Sequence, residues 1–139
     1  AIPLGFFASP GYLQRRGAPA TMADLANHDM IGPDRNPTDL AFAQRLGHGF
    51  AATRFVLRTD SHPAQLAAAR AGVGIAMAQV PVGARDPRLR RVLPDVTPVL
   101  MDTWIVTHEN LSKVPRVRAV FDCLAEAFGD YASPPRPMA

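Results

Sequence analysis

RFVLRTDSHPAQLAAARAGVGIAMAQVP, residues Arg54 to Pro81, changes its hydrophobic period twice, and those two changes decide the fold. Phe55, Val56 and Leu57 form a short β-prone run. Asp60 and Ser61 are N-cap residues placed where the period shifts. Pro63 suits a first helical turn, because the amide it lacks would be unpaired there anyway. Gln65 to Ala71 consists almost entirely of strong helix formers, with Leu66 and the alanines giving a thin apolar side that lets a helix lie close on a sheet. Gly72 then ends the helix, and Gly74 to Val80 is a continuous apolar run of the kind covered on both faces, stopped by Pro81. Strand, helix and strand in this order make a β-α-β unit and predict a parallel sheet.

The two glycines do not make a dinucleotide fingerprint. That motif needs its glycines after a strand and at the start of a helix, where the pyrophosphate meets the helix N-terminus. Here Gly72 and Gly74 close a helix and open a strand, and Met77 stands at the third glycine position. No cofactor is expected. A ligand held on this unit would sit at the other end of the helix, where Thr59, Asp60 and Ser61 lie beside free backbone N–H groups. The simpler alternative is that Ser61 only caps the helix, and both readings stand.

Working outward, Leu4 to Ala8 reads as a short strand. Ser9-Pro10 supplies an N-cap and first-turn proline for a helix over Gly11 to Arg16, ended by Gly17. Thr21-Met-Ala-Asp24 resembles a capping box with Asp in place of Glu. Asp29 to Ile31 is a second short strand, closed by Gly32-Pro33. Asp34 to Gly49 fixes no element: PDRNPTD is turn-rich, AFAQRL fits a helical turn or a strand, and GHG is a break. Pro81 to Pro94 reads as loop and short helix anchored by Leu89, Val92 and Leu93. Val99 to Thr107 is a β-prone run.

Ser112 is then expected to cap the clearest helix in the chain. Val114, Val117, Phe121, Leu124 and Phe128 recur at intervals of three and four, and Gly129 is the expected end. Five such side chains stand to gain roughly 1.5–3 kcal/mol each on burial. The stripe therefore requires an apolar partner. It covers a second lobe that is missing here, or it docks on another chain. The remainder, YASPPRPMA, is proline-rich and expected to be disordered.

At 139 residues, 47% hydrophobic and 19% charged, the chain fits one globular domain with a sizeable core. No apolar run is long enough to span a bilayer, and no signal-peptide pattern opens the sequence. The first residue is Ala1 rather than Met, which fits a piece of a longer protein. Cys123 is the only cysteine, which excludes an intrachain disulfide and a cysteine metal cluster and fits a reducing compartment. The net charge of +3 rests on arginine almost alone, since Lys113 is the only lysine. Arg85, Arg88, Arg90 and Arg91 form the one dense cluster, but Asp86 and Pro87 interrupt it and no aromatic residue is interleaved for base stacking. It reads as a solvated loop or short helix rather than a nucleic-acid surface.

Read in order, four segments resemble the effector-binding domain of LysR-type transcriptional regulators. They are ASPGYLQRRGAPATMADLANHDMIG, FVLRTDSHPAQLAAARAGVGIAMAQVP, PRLRRVLPDV and WIVTHENLSKVPRVRAVFDCLAEAF. The first is similar to that family's strand, Pro-x-Tyr-Leu helix and Asp-Leu-x-x-His run; the second to its helix and Ala-Gly-x-Gly-Ile-Ala turn. The third resembles its Leu-x-x-Val-Leu-Pro stretch, and the fourth its return strand and last helix. Each motif alone is weak, and their order across nearly the whole chain is what makes the match specific.

The resemblance implies an α/β fold of the type II periplasmic-binding-protein-like class, with two lobes joined by two crossover strands and a small-molecule inducer in the cleft between them. Residues 1–103 would be the second lobe. Residues 104–129 would be the return strand and last helix that belong to the first lobe, and residues 130–139 a disordered tail. The rest of the first lobe and the N-terminal helix-turn-helix that reads DNA would lie outside this chain. A homodimer or tetramer of a cytoplasmic bacterial regulator is implied, with no membrane partner. Carried over by position, the family's ligand contacts fall on Gly32, Pro33, Asp34 and Arg35 after the second strand, and on Phe7, Ser9, Val106 and Thr107 near the cleft floor. Thr59, Asp60 and Ser61 complete the candidates. Arg35 is the leading one, because its planar fork suits a carboxylate inducer, although a solvated loop arginine is the plain alternative.

Two rival classes are weighed. An enzyme would draw on His28, His48, His62 or His108 with Cys123 or a serine, but no HExxH pair, Gly-x-Ser-x-Gly elbow or paired-histidine ligand spacing is present, so no catalysis is expected and no metal site is assigned. A periplasmic solute-binding protein fragment would share the fold, and the wording of the return strand and last helix favours the regulator.

Overall fold

The computed structural model describes residues 1–46 and 54–132. The GHG break at 47–49, His48 and residues 133–139 lie outside the described residues.

The β-α-β reading holds. Strand β3 (Arg54–Arg58) leads into helix α3 (His62–Arg70) and strand β4 (Ile75–Gln79). Between β3 and β4 lies β2 (Asp29–Gly32), parallel to both. The remaining strands run antiparallel. Strand β1 (Ile2–Ala8) pairs along one edge with β4. Its other edge is shared: β5 (Arg90–Val92) lies against Phe6 to Ala8 and β6 (Val99–Met101) against Ile2 to Leu4. The order is β3-β2-β4-β1-β5, with β6 beside β5 on β1.

Alternation along the strands splits the core into two layers. Phe6, Ala8, Met30 and Ile75 point to one face, where Tyr12 of α1 (Pro10–Arg16), Leu25 of a 3₁₀ turn (Ala23–Asn27) and Ala43 of α2 (Pro37–Arg45) cover them. Phe7, Ile31 and Ala76 point to the other, against Leu66 and Ala69 of α3 and Val80 of α4 (Val80–Arg85). A register shift keeps β3 in step with this division. Met30 pairs with Phe55 but Ile31 pairs with Leu57, so Val56 is an extra residue and Phe55 and Leu57 join opposite layers.

The caps explain why the elements begin where they do. Ser9 Oγ accepts the Tyr12 amide at 3.2 Å, and Gly17 closes α1 at φ 78°. Thr21 and Asp24 exchange side-chain-to-backbone bonds at 2.8 and 3.4 Å as the capping-box pattern predicts, although the turn they open is 3₁₀. Asn36 Oδ1 accepts the Thr38 and Asp39 amides, which makes AFAQRL helical.

The strand stops before Pro81 as expected, at Gln79, and Pro81 sits in the first turn of α4, the short helix of the 81–94 stretch, where its missing amide costs nothing. Four expectations need correction. Arg90 to Val92, expected as loop, is a strand because the free edge of β1 recruits it despite its charge. The run Val99 to Thr107 is paired only over Val99–Met101, and residues 102–108 carry no regular element. Ser112 does not cap the last helix; its hydroxyl donates to the Glu109 carbonyl at 2.6 Å, and helix α5 begins at Pro115. Finally, α5 continues through Gly129 to Ala132, so Asp130, Tyr131 and Ala132 are helical rather than disordered.

None of α5 is buried. Val120, Leu124 and Phe128 are exposed, as are Trp104 at 82% and Val106 at 85%. The apolar stripe lacks a cover among the described residues.

Candidate functional site

Because β2, β3 and β4 run parallel, their carboxyl ends share one edge of the sheet. Each end feeds a helix with proline in its first turn: Pro37 in α2, Pro63 in α3 and Pro81 in α4. Ligands of open α/β sheets bind outside the carboxyl ends of the strands, where strand order reverses. Here the chain moves from β2 to one neighbour, β3, and then across to the other, β4.

Seven of the eleven predicted site residues meet on this edge. The Asp60 carboxylate accepts three successive backbone amides of the facing loop: Asp34 at 2.9 Å, Arg35 at 3.0 and 3.1 Å, and Asn36 at 3.0 Å. These bonds, with Asn36 and then Asp34 the largest contributors, hold the carboxyl below the usual carboxylate range. Thr59 joins the same two loops, its amide donating to the Gly32 carbonyl at 3.0 Å. Its own carbonyl accepts Nε2 of Gln65 at 2.6 Å, and its Oγ1 accepts the Ser61 amide at 3.2 Å. Ser61 Oγ accepts the Ala64 amide at 3.4 Å, which is the capping role. Gly32 and Pro33 line a small cavity of about 30 Å³ with Phe42, Phe55 and Met77.

Arg35 is held by its backbone and left open by its side chain. The side chain is 90% exposed, and its Nε lies 3.4 Å from the Asp34 carboxylate. It can swing toward a ligand without breaking a buried contact. Across the edge, His62 Nε2 stands 3.1 Å from Asp39 and ties the starts of α2 and α3 together.

The other four candidates lie elsewhere. Phe7 is enclosed, its ring in the space a Cβ on Gly83 would need. Ser9 is buried as the cap of α1. Both were expected at the cleft floor and are turned inward by packing. Val106 and Thr107 line a separate open groove of about 390 Å³ with Val117, Val120, Phe121 and Leu124 of α5. Two contributors escape a sequence reading. Gln65 is the one long polar side chain in the alanine run of α3, and its burial is the signal that marks it; Asn36 shows itself only as Asn before Pro, an N-cap pattern.

Among the described residues no cluster of His, Cys, Asp or Glu could hold a metal ion, and no helix is long and apolar enough to cross a membrane.

The family model of the LysR substrate binding domain matches residues 1–129. The chain belongs to that family. Its fold is therefore the type II periplasmic-binding-protein-like α/β fold of LysR regulatory domains. Among solved structures, this LysR domain is similar to the regulatory domain of CrgA, a LysR-type transcriptional regulator from Neisseria meningitidis, with a TM-score of 0.67 at 21% identity. That match covers 91% of this chain and 64% of the CrgA domain chain. The longer CrgA structure gives a TM-score of 0.67 at 22% identity, covering 92% of this chain and 45% of that one. The regulatory domain of AphB from Vibrio vulnificus gives 0.53 at 20% identity, covering 68% and 50%. At these identities the likeness concerns the fold. The LysR domain described here spans less than two thirds of the CrgA domain and under half of the longer chain. A search among curated proteins found no match.

Proposed function

We propose that this chain is the inducer-sensing and dimerising part of a LysR-type transcriptional regulator of the bacterial cytoplasm. Residues 1–103 act as the second lobe of its effector domain, and residues 104–129 return to the first. The sheet closes within residues 2–101, while α5 keeps an apolar face with no buried residue, which supports that division. The face of Val117, Phe121 and Leu124 seats the first-lobe sheet, which other residues of the full protein supply. A small molecule binds between the lobes at the edge formed by Gly32–Arg35 and Thr59–Ser61. DNA binding belongs to a helix-turn-helix elsewhere in the full protein, and inducer binding changes its affinity by shifting the angle between lobes.

The observation that carries this reading is the clamped loop at the edge. Asp60 fixes the backbone of residues 34–36, so the Arg35 side chain, exposed and paired only at the surface with Asp34, is presented from a rigid base. Its planar fork pairs with a carboxylate, which makes small acids the first inducer class to test. The test is a thermal-shift screen of the complete effector domain against small carboxylates, amino acids and aromatics, with Arg35→Ala in parallel. A carboxylate that raises the melting temperature of the native domain and not of the variant supports the assignment. If no compound raises it, the sensing role fails.

A further inference from the structure

Helix α5 is held to the sheet unit by its far end. Tyr131 donates its hydroxyl proton to Oε1 of Gln79 at 2.5 Å, and its ring lies 5.6 Å from the guanidinium carbon of Arg85. Phe128, one turn earlier, meets the Tyr131 ring edge-on at 6.3 Å and fixes its tilt. Gln79 is the last residue of β4 and stands before α4, while Arg85 lies in the last turn of α4. Tyr131 therefore grips α4 at both ends.

The receiving half of this contact is rigid. Gly83 of α4 packs on the Phe7 ring so tightly that a Cβ there would come within 2.5 Å of it, and Val80 lies against Gly5 of β1. The delivering half is not. No residue of α5 is buried, and it is joined to β6 through residues 102–108, which carry no regular element, and a single 3₁₀ turn at Glu109–Leu111. A long helix with little packing, gripped at one end by a hydrogen bond and a cation–π contact, can be released without disturbing a core.

We infer that Tyr131 is an interlobe latch: by engaging Gln79 and Arg85 it pins the last helix to the edge where β4 ends and so sets the position of the first lobe against the second. This rests on the assignment of α5 to the first lobe. When the latch is closed, α5 and the carboxyl end of β4 move together. When it is open, the helix and whatever its apolar face carries rotate away from the edge.

The experiment has two readouts. The first is hydrogen exchange in this chain, comparing the native protein with Tyr131→Phe, Gln79→Met and the double variant. Each single change should speed exchange over residues 119–130 about fivefold, with β1 and β4 unaffected, and the double should exchange no faster than either single. Additive effects, no change in α5, or equal loss in the sheet overturns the latch. Arg85→Leu, which removes the cation and leaves the hydroxyl, should add a further increase, and its failure to do so removes Arg85 from the device. The second readout is the distance between spin labels on Cys123 of α5 and on Arg45→Cys of α2 in the complete effector domain. Tyr131→Phe should broaden that distribution. If exchange in α5 responds and the distance does not, the helix is latched but moves no lobe, and it is the lobe assignment that falls.

Discussion

The Asp60 carboxylate accepts the Asn36 amide at 3.0 Å across 24 positions of sequence, and the same group holds the two amides before it. Two loops that carry candidate ligand contacts are thereby one rigid piece. Replacing Asp60 with Asn keeps the shape and removes the charge, so Asp60→Asn should melt several degrees lower at neutral pH. The folded carboxyl titrates below its unfolded value, so its contribution is complete above about pH 4 and fades as pH falls through the folded value. Melting curves of the two proteins should therefore converge in acid. Curves that stay parallel down to acid unfolding would show that the charge is irrelevant to the clamp.

His28 carries a pH dependence at higher pH. Its ring is buried at 8% exposure; Tyr12 Oη, which accepts the Asp29 amide at 2.8 Å, lies 3.2 Å from Nδ1. Burial, then the Arg16 charge, lowers its proton affinity in the folded state, against the opposing pull of Asp24 and Asp29. The unfolded chain therefore binds the proton more readily, and stability falls as pH drops below about 6.5 until the folded ring titrates as well. His28→Gln should flatten the change in urea midpoint between about pH 7 and pH 5. An unchanged slope assigns that dependence to other groups.

Three glycines separate by what a methyl group would meet. At Gly74 a Cβ would stand 2.2 Å from the Asp29 carbonyl oxygen, which is backbone of the paired strand. At Gly32 it would meet the Phe55 ring at 2.0 Å, a side chain that can turn. Gly74→Ala should therefore cost about 3 kcal/mol or more, and Gly32→Ala about 1–3 kcal/mol. Gly129 lies within α5 with open space around it, so Gly129→Ala should stabilise the helix by about 0.5–1 kcal/mol. Equilibrium unfolding of the three variants gives the order, and a milder Gly74→Ala than Gly32→Ala contradicts it.

The open face of α5 gives a prediction of the opposite kind. Val120 and Leu124 are 59% and 41% exposed, so Val120→Ser with Leu124→Ser should leave the melting temperature of this chain within about a degree. The same pair should cut binding of a hydrophobic dye and any self-association seen in sedimentation. In the complete effector domain it should instead destabilise, because there the face is covered under the proposed division. Equal tolerance in both settings would leave the face without a partner.

What the sequence made legible is what neighbours along the chain determine. Ser9, Thr21, Asp24 and Ser61 act on amides within four residues, and their caps are where the pattern puts them. The continuous apolar run of β4 is covered on both faces as its composition suggests, with Ile75 in one layer and Ala76 in the other. The failures share a cause. Arg90–Val92 is a strand only because β1 offers an unpaired edge, and Trp104–Thr107 is not one among the described residues because nothing offers it an edge. At the site, the loop after β2 was legible as a location, whereas the grip of Asp60 on it depends on a pairing that no local pattern announces.

The position of β1 sets a timetable for folding. Its partners begin at Ala76 and end at Met101, so β1 has no strand neighbour until the chain has run well past it, Phe7 pairing first with Ala76. Pairings this far apart in sequence must close long loops before they gain anything, which slows the search and leaves apolar edges open meanwhile. During that interval Phe6 and Phe7, fully enclosed in the finished fold, face solvent from opposite sides of an unpaired strand. Strand β1 is therefore exposed to misassociation for that interval, and chains stalled before Ala76 should aggregate more readily than chains stalled after Met101.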